Sequence, residues 1–354
     1  MSAVAMAGVS ITRGGTIILD RIDLEVERGE RLCVLGASGS GKTALLRVIA
    51  GLERPSRGEV DVMGSPPRPA RPDVTMIFQD DAAYDHLDVR GNLDFPFRLG
   101  ADAPDRSDRV RGTASAFSIR RLLSRRTTEL SSGQRRLVSA ARALVRPDVS
   151  LVLMDEPLVG TDPKRRARLV EAVMGRRELT VVIATHEPAD AFRWADRVAV
   201  LEGGGVAQVG RPPRVYARPS TLEVAELMGE INRFPATLDA ASGWRVDVVD
   251  SRLVVGEVPT GSQHGQRVVA GVRPENLSPA SAGIPFDRRL RATVGRVELV
   301  GARQRVLFGL GSSPGIGFVA SIEASTPLSA GDHVDWYVPP DAIRLYDPLT
   351  GEAL

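Results

Sequence analysis

Lysine is nearly missing from this chain: 2 of its 46 basic residues are lysines, and arginine supplies the other 44. The basic residues are almost balanced by 44 acidic ones, leaving a formal net charge of +2. That excludes a strong electrostatic field for steering nucleic acid, and no nucleic-acid partner is expected. So heavy an arginine bias fits codon composition better than a binding surface. Cys33 is the only cysteine, so no intrachain disulfide can form, and a reducing, cytoplasmic setting is expected. No apolar run reaches the 18 residues a membrane helix needs. Residues 1–10 lack the basic and apolar regions of a signal peptide. Any membrane role must therefore pass through a partner. With 354 residues, 43% hydrophobic and 25% charged, the composition is that of a soluble globular protein with room for two cores.

One of the two lysines falls in Gly36-Ala37-Ser38-Gly39-Ser40-Gly41-Lys42-Thr43, which fits G-x-x-x-x-G-K-[ST] at every fixed position. It follows the apolar run Leu32–Leu35 and precedes a helical pattern, Ala44–Ile49. Glycines 36, 39 and 41 are expected to let the backbone turn its N–H groups toward phosphate oxygens. The helix start adds its positive dipole end. Lys42 is expected to bridge β- and γ-phosphates, and the Thr43 hydroxyl to hold Mg²⁺. A compact ammonium in a chain that otherwise uses guanidinium suggests a place where a planar fork does not fit. The bland alternative is a Gly/Ser turn before a buried helix.

Along the chain, residues 8–31 read as a short antiparallel set, with strands at 17–19 and 22–26 and a turn at 28–30. Val60–Val62 reads as an edge strand and Val74–Phe78 as a buried one ending at Gln79. Residues 88–129 turn helical, with eight arginines between Arg98 and Arg126. These alternate with aspartates and lack interleaved aromatics, which predicts a solvated face. Leu130-Ser131-Ser132-Gly133-Gln134 precedes a helix with Leu137, Ala140, Ala141 and Leu144 on one side. Leu151–Met154 and Val181–Thr185 are apolar on both faces, as central parallel strands are. Beyond residue 231, seven short β-type runs separated by turn residues predict a small all-β barrel or sandwich.

The first of those central strands delivers Asp155-Glu156, the second His186. Two adjacent carboxylates can divide labour: Asp155 ordering a metal shell, Glu156 polarising water for attack on a γ-phosphate. Gln79 at a strand end offers a neutral amide to metal or water. The imidazole of His186, taken as neutral, can donate to the γ-phosphate and sense its loss. Taken singly, each is also compatible with a solvated or structural role.

The ordered set of phosphate loop, Gln79, Leu-Ser-Ser-Gly-Gln, Asp155-Glu156, Asp162 and His186 resembles the ATP-binding cassette family over about residues 8–230. The resemblance implies an α/β fold: a phosphate-loop NTPase cassette with a mostly parallel sheet, an antiparallel β subdomain and a helical insert at about 88–146. It implies ATP and Mg²⁺ as ligands, with Thr43, Gln79 and Asp155 at the metal and Glu156, His186 and Gln79 at the reaction. It also implies head-to-tail pairing with a second cassette chain, whose site Ser131, Ser132, Gly133 and Gln134 complete. Gly271-Val272-Arg273-Pro274-Glu275 resembles an element of the TOBE-type domain, implying an OB-like β domain over 231–354. Tyr84-Asp85-His86-Leu87-Asp88-Val89 resembles an importer segment that, with the helical insert, receives coupling helices of membrane subunits.

The nearest likeness is to ATPases of maltose- and glycerol-phosphate-type importers, which implies transmembrane permeases, an extracytoplasmic solute-binding protein and a carbohydrate-like solute. The location implied is the cytoplasmic face of the membrane. A polyamine, sulfate or metal importer, or a soluble cassette protein, stands as the alternative. Several positions depart from the family pattern. Arg13 stands where an aromatic usually stacks on adenine, and its guanidinium can stack instead. Ser132 replaces a glycine, Leu137 an arginine, Val159–Asp162 the usual Ser-Ala/Asn-Leu-Asp, and Glu187 an aspartate. Both a homodimer and a heterodimer fit.

Overall fold

A computed structural model describes residues 2–78, 83–99, 105–156, 170–240, 244–249, 251–258, 260–310 and 317–354. Gln79 and the segment Val159–Asp162 lie outside the described residues. The chain divides into two compact units, Met1–Pro213 and Arg214–Leu354. Among the described residues no helix is long and apolar enough to cross a membrane.

In the first unit, β1 (Ser2–Arg13) and β2 (Thr16–Glu27) form a long hairpin. β3 (Arg31–Gly36) then leads through the glycine-rich loop into α1 (Lys42–Ile49). β4 (Arg57–Val62) returns to pair with β1, giving an antiparallel sheet in the order β2-β1-β4. Two separate strands were expected at 17–19 and 22–26, but β2 is continuous. Arg21 adopts a left-handed φ of 46° and donates its N–H to Ser10 Oγ at 3.0 Å, at one of the register shifts between β1 and β2.

The second sheet of this unit holds β5 (Val74–Ile77), β6 (Leu151–Asp155), β7 (Thr180–Thr185), β8 (Arg197–Glu202) and β9 (Gly205–Gly210). Its order is β5-β6-β7-β3-β8-β9, parallel except for β9. Side chains of β6 and β7 alternate between two cores. Leu151, Leu153, Val182 and Ala184 face α1 and the antiparallel sheet, while Val152, Met154, Val181 and Ile183 face the helical insert. Burial on both faces explains their unbroken apolarity.

β5 shows where apolarity misleads. It is an edge strand: Val74, Thr75 and Met76 are only half-buried and Phe78 is 41% exposed. The insert contains α2 (Val89–Asp94), α3 (Arg106–Ala116) and α4 (Ser132–Leu144). Its arginines lie on a solvated face, paired as Arg106–Asp94, Arg109–Asp105 and Arg111–Asp108. Leu137, Ala140, Ala141 and Leu144 are buried, as their spacing predicts.

The second unit is all-β apart from short helical turns and the helix Leu222–Met228. β10 (Asn232–Asp239), β11 (Arg245–Val248), β12 (Ser251–Val254) and β13 (Arg267–Val272) are joined by the last strand, which runs over Arg344–Tyr346. A second five-stranded antiparallel sheet contains Ser278–Pro279, Arg289–Val300, Arg303–Leu310, Phe318–Glu323 and His333–Tyr337. Both sheets feed one core around Trp336, Phe308 and the stacked pair Phe234–Phe318, 4.4 Å between centroids. β10 is not among the seven β-type runs of the sequence, and it contains Pro235, a residue disfavoured in central strands. At Pro235 the strand pairs with β13 alone, so it is locally an edge, where proline is tolerated.

Arg273, of the Gly-Val-Arg-Pro-Glu element, is buried and ties the helix Leu222–Met228 into this unit. Its Nη1 donates to the carbonyls of Ala225, Gly229 and Glu230 at 2.9, 2.7 and 3.0 Å. Its guanidinium also lies 4.0 Å from the Tyr216 ring centroid. The division after Pro213 therefore falls ahead of residue 230.

Candidate functional site

The C-terminal ends of β3, β6 and β7 are neighbours in the parallel sheet, and each carries one part of the expected site. The glycine-rich loop follows β3. Gly39 and Gly41 have φ of 84° and 100°, the left-handed conformations expected of them. Gly36 serves differently: a Cβ there would stand 2.8 Å from Leu201 O and collide with Ser40 Oγ, so it is needed for close approach. Gly41 is constrained twice, since its Cβ would also meet Leu19 Cδ2 at 2.5 Å. Ala37, Ser38 and Gly39 form the exposed crest of the loop.

α1 begins with no side-chain cap and no acidic residue in its first turn, which leaves its first amides and dipole end for an anion. Ser40 Oγ is buried without a hydrogen-bond partner among the described residues. An uncapped helix start, an exposed glycine crest and an orphaned hydroxyl together fit a polyphosphate. Lys42 is 5% exposed; its Nζ donates to the carbonyls of Gly36 and Ala37, both at 2.9 Å, and stands 3.7 Å from Glu156 Oε1. Burial pulls its pKa down, opposed by the charges of Glu156 and Asp155.

At the end of β6, Asp155 Oδ1 accepts the Thr43 hydroxyl at 3.1 Å. Burial pushes the Asp155 carboxyl above its ordinary value, only partly offset by the Thr43 bond. A buried carboxylate beside a hydroxyl is a hard-oxygen pair of the kind Mg²⁺ takes, with water and substrate phosphate completing its shell. Among the described residues no cluster of three or more acidic, His or Cys side chains could hold a metal by itself, and a site completed by phosphate needs none.

Glu156 has a left-handed φ of 42°, held by its N–H donating to Ala184 O of β7 at 2.9 Å. A non-glycine residue in that region is strained, by roughly 1–3 kcal/mol. The turn aims its carboxylate between Lys42 and His186, whose Nδ1 is 2.8 Å from Glu156 Oε2. A ring donating through Nδ1 to a carboxylate leaves Nε2 an acceptor when neutral. The neutral donor expected of His186 therefore exists only after this bond is exchanged.

The remaining expected residues lie apart from this cluster or outside the described residues. Ser131 caps α4 in a capping box: its N–H donates to Gln134 Oε1 at 3.0 Å and its Oγ accepts from Gln134 N at 3.4 Å. Ser132 is the first helical residue and both serines are exposed, so replacing a glycine here costs no positive φ. Arg13 is held in a forked pair with Glu53, at 2.9 and 2.5 Å. Glu53 was not anticipated, and no periodicity links residues 13 and 53. Gln79 and Asp162 are outside the described residues.

A groove of about 800 Å³ opens between β5 and the helical insert, lined by Met76, Phe78, Tyr84, Phe95, Pro96 and Arg142. Tyr84 is fixed there. Its carbonyl accepts from Asn92 and Thr127, and Arg142 stacks 4.2 Å from its ring centroid.

Residues 19–159 match the ABC transporter family and residues 270–345 the TOBE domain. The chain is 35% identical, over the whole of both proteins, to the trehalose/maltose import ATP-binding protein MalK of Thermococcus litoralis. It is 32% identical to the sn-glycerol-3-phosphate import ATP-binding protein UgpC of Ralstonia nicotianae, over 99% of this chain and 98% of that one. Among solved structures, CbiO1 of Clostridium perfringens, part of the CbiONQ ABC transporter complex, superposes with a TM-score of 0.55 at 25% identity. That match covers 61% of this chain and 91% of the other. Phosphate loop, paired carboxylates, histidine and end-to-end similarity agree: the chain belongs to the ABC transporter family, as an ATP-binding protein with a C-terminal TOBE domain.

Proposed function

We propose that this chain is the ATP-hydrolysing subunit of a solute importer for a carbohydrate-like substrate, acting at the cytoplasmic face of a membrane through permease subunits. The observation that carries the reading is the cluster Lys42, Thr43, Asp155, Glu156 and His186. It lies on adjacent strand ends of a chain that matches import ATP-binding proteins along its full length. In this reading residues 1–230 work as the cassette and 231–354 as the TOBE-type domain, the helix Leu222–Met228 at their junction packing with the second unit.

The loop 36–43 receives the triphosphate of ATP. Lys42 turns from its own loop carbonyls to the β- and γ-oxygens. Thr43 and Asp155, with Gln79, would hold Mg²⁺, which neutralises phosphate charge when bound. Glu156 accepts the proton of the attacking water, and His186 exchanges its bond to Glu156 for one to the γ-phosphate. Arg13, its plane fixed by Glu53, stacks on the base. Ser131, Ser132, Gly133 and Gln134 serve the site of a second cassette chain, and Asp162 stands at that shared interface. The groove beside Tyr84 receives a helix of the permease.

The test is mild-detergent purification of the tagged chain from its native membranes, with mass spectrometry of its companions. Two multi-spanning permeases and a solute-binding protein are expected, and the latter's ligand identifies the solute. Polyamine-, sulfate- or metal-binding companions would move the substrate class. Soluble or ribosomal companions alone would overturn the importer reading.

A further inference from the structure

His186 sits between two residues that are tied to each other. Thr185, the last residue of β7, accepts the Glu187 N–H on its Oγ1 at 3.0 Å and donates the same hydroxyl to Asp190 Oδ2 at 3.0 Å. Asp190 N–H in turn donates to the Glu187 carbonyl at 3.0 Å. Thr185 and Asp190 are 3% and 2% exposed, whereas His186 is 41% exposed on its side chain. A buried two-sided brace thus closes the turn at whose apex the imidazole stands. From there His186 Nδ1 meets Glu156 Oε2 at 2.8 Å.

We propose that Asp190, acting through the Thr185 hydroxyl, is a positioning residue of the ATPase: it fixes the backbone on both sides of His186. Both side chains are buried, so the role proposed for them is indirect, through His186. The brace fixes the threonine rotamer, since a hydroxyl bonded to both an N–H and a carboxylate has one staggered position that serves both. A carboxylate in the core is costly unless it is hydrogen-bonded, and the Thr185 hydroxyl supplies such a bond to Asp190. What the brace holds is the backbone on either side of an exposed imidazole. The inference rests on the roles given above to His186 and Glu156.

The test is single-turnover release of labelled phosphate from ATP, with the full chain in excess, alongside equilibrium ATP binding. Thr185→Val keeps the shape and removes the hydroxyl. Its rate is expected to fall by about 10- to 100-fold, with ATP affinity within about 2-fold of the parent. Thr185→Ser, which restores the hydroxyl, recovers most of the rate. In a His186→Ala background Thr185→Val adds no further loss, because the brace acts through His186. Asp190→Ala, which removes the acceptor and its buried charge together, reaches the same loss of rate by an independent route should the valine variant not fold. A parental rate in either variant, an equal loss in the His186→Ala background, or failure of serine to rescue would overturn the proposal. If His186→Ala and Glu156→Gln themselves turn over normally, the failure lies with the site reading instead.

Discussion

Glu156 Oε2 and His186 Nδ1 are 2.8 Å apart, and the two residues come from adjacent parallel strands that also hold each other through Glu156 N–H to Ala184 O. The two residues proposed as base and phosphate sensor are therefore held together as one unit. His186→Ala is expected to lower turnover by on the order of 10²-fold while leaving ATP affinity nearly unchanged. Steady-state kinetics and nucleotide titration together check the split.

The three glycines of the phosphate loop are not equivalent. Gly36→Ala and Gly41→Ala drive a methyl into Leu201 O and Leu19 Cδ2 respectively, while a Cβ on Gly39 meets nothing within 4 Å. Gly39→Ala is expected to cost only its left-handed φ, about 1–2 kcal/mol. The other two should cost more, about 3 kcal/mol or above. Denaturant unfolding of the three ligand-free variants gives the order.

Asp155, proposed above as a cation ligand, is held in the fold at a cost to its charged form. Burial raises its folded pKa, so its favourable contribution is full below the unfolded carboxylate value and is lost as pH rises through the folded one. Asp155→Asn should therefore raise the melting midpoint of the ligand-free chain at neutral pH, by roughly 2–4 °C for each kcal/mol recovered. It should also flatten the acid-to-neutral slope. The same variant should weaken Mg²⁺-dependent ATP binding by at least about 10-fold. Lys42 has the opposite sign: its folded pKa is lowered, so its cost to the fold is present below that value and fades as pH rises toward its unfolded one.

In the C-terminal unit, Arg273→Lys keeps a cation but cannot reach three carbonyls and the Tyr216 ring together. About 2–3 kcal/mol of that unit's stability should be lost. Thermal unfolding should show it as an earlier C-terminal transition, with ATP affinity unaltered.

Much of this was legible in the sequence because local rules agree with the fold there. Unbroken apolar runs at 151–154 and 181–185 announced central strands, and both end in the acidic pair and histidine that meet in space. What stayed hidden depends on partners distant in sequence. Val74–Phe78 is apolar like a central strand, yet nothing local says that it lies at the sheet edge. β10 carries Pro235, and only the stagger of its neighbours makes that position an edge. Arg13 read as a free stacking surface, while Glu53, forty residues on, fixes its plane. The Gly-Val-Arg-Pro-Glu element was recognisable, but not that its arginine closes a helix end.

Glu156 is the proposed base of this ATP hydrolase. Glu156→Gln keeps the side chain's shape and removes its proton-accepting charge, so equilibrium binding of ATP and phosphate release from the same sample separate binding from chemistry. The expected result is ATP affinity within about 3-fold of the parent and turnover reduced by on the order of 10²-fold or more. Near-parental turnover in that variant would contradict the assignment.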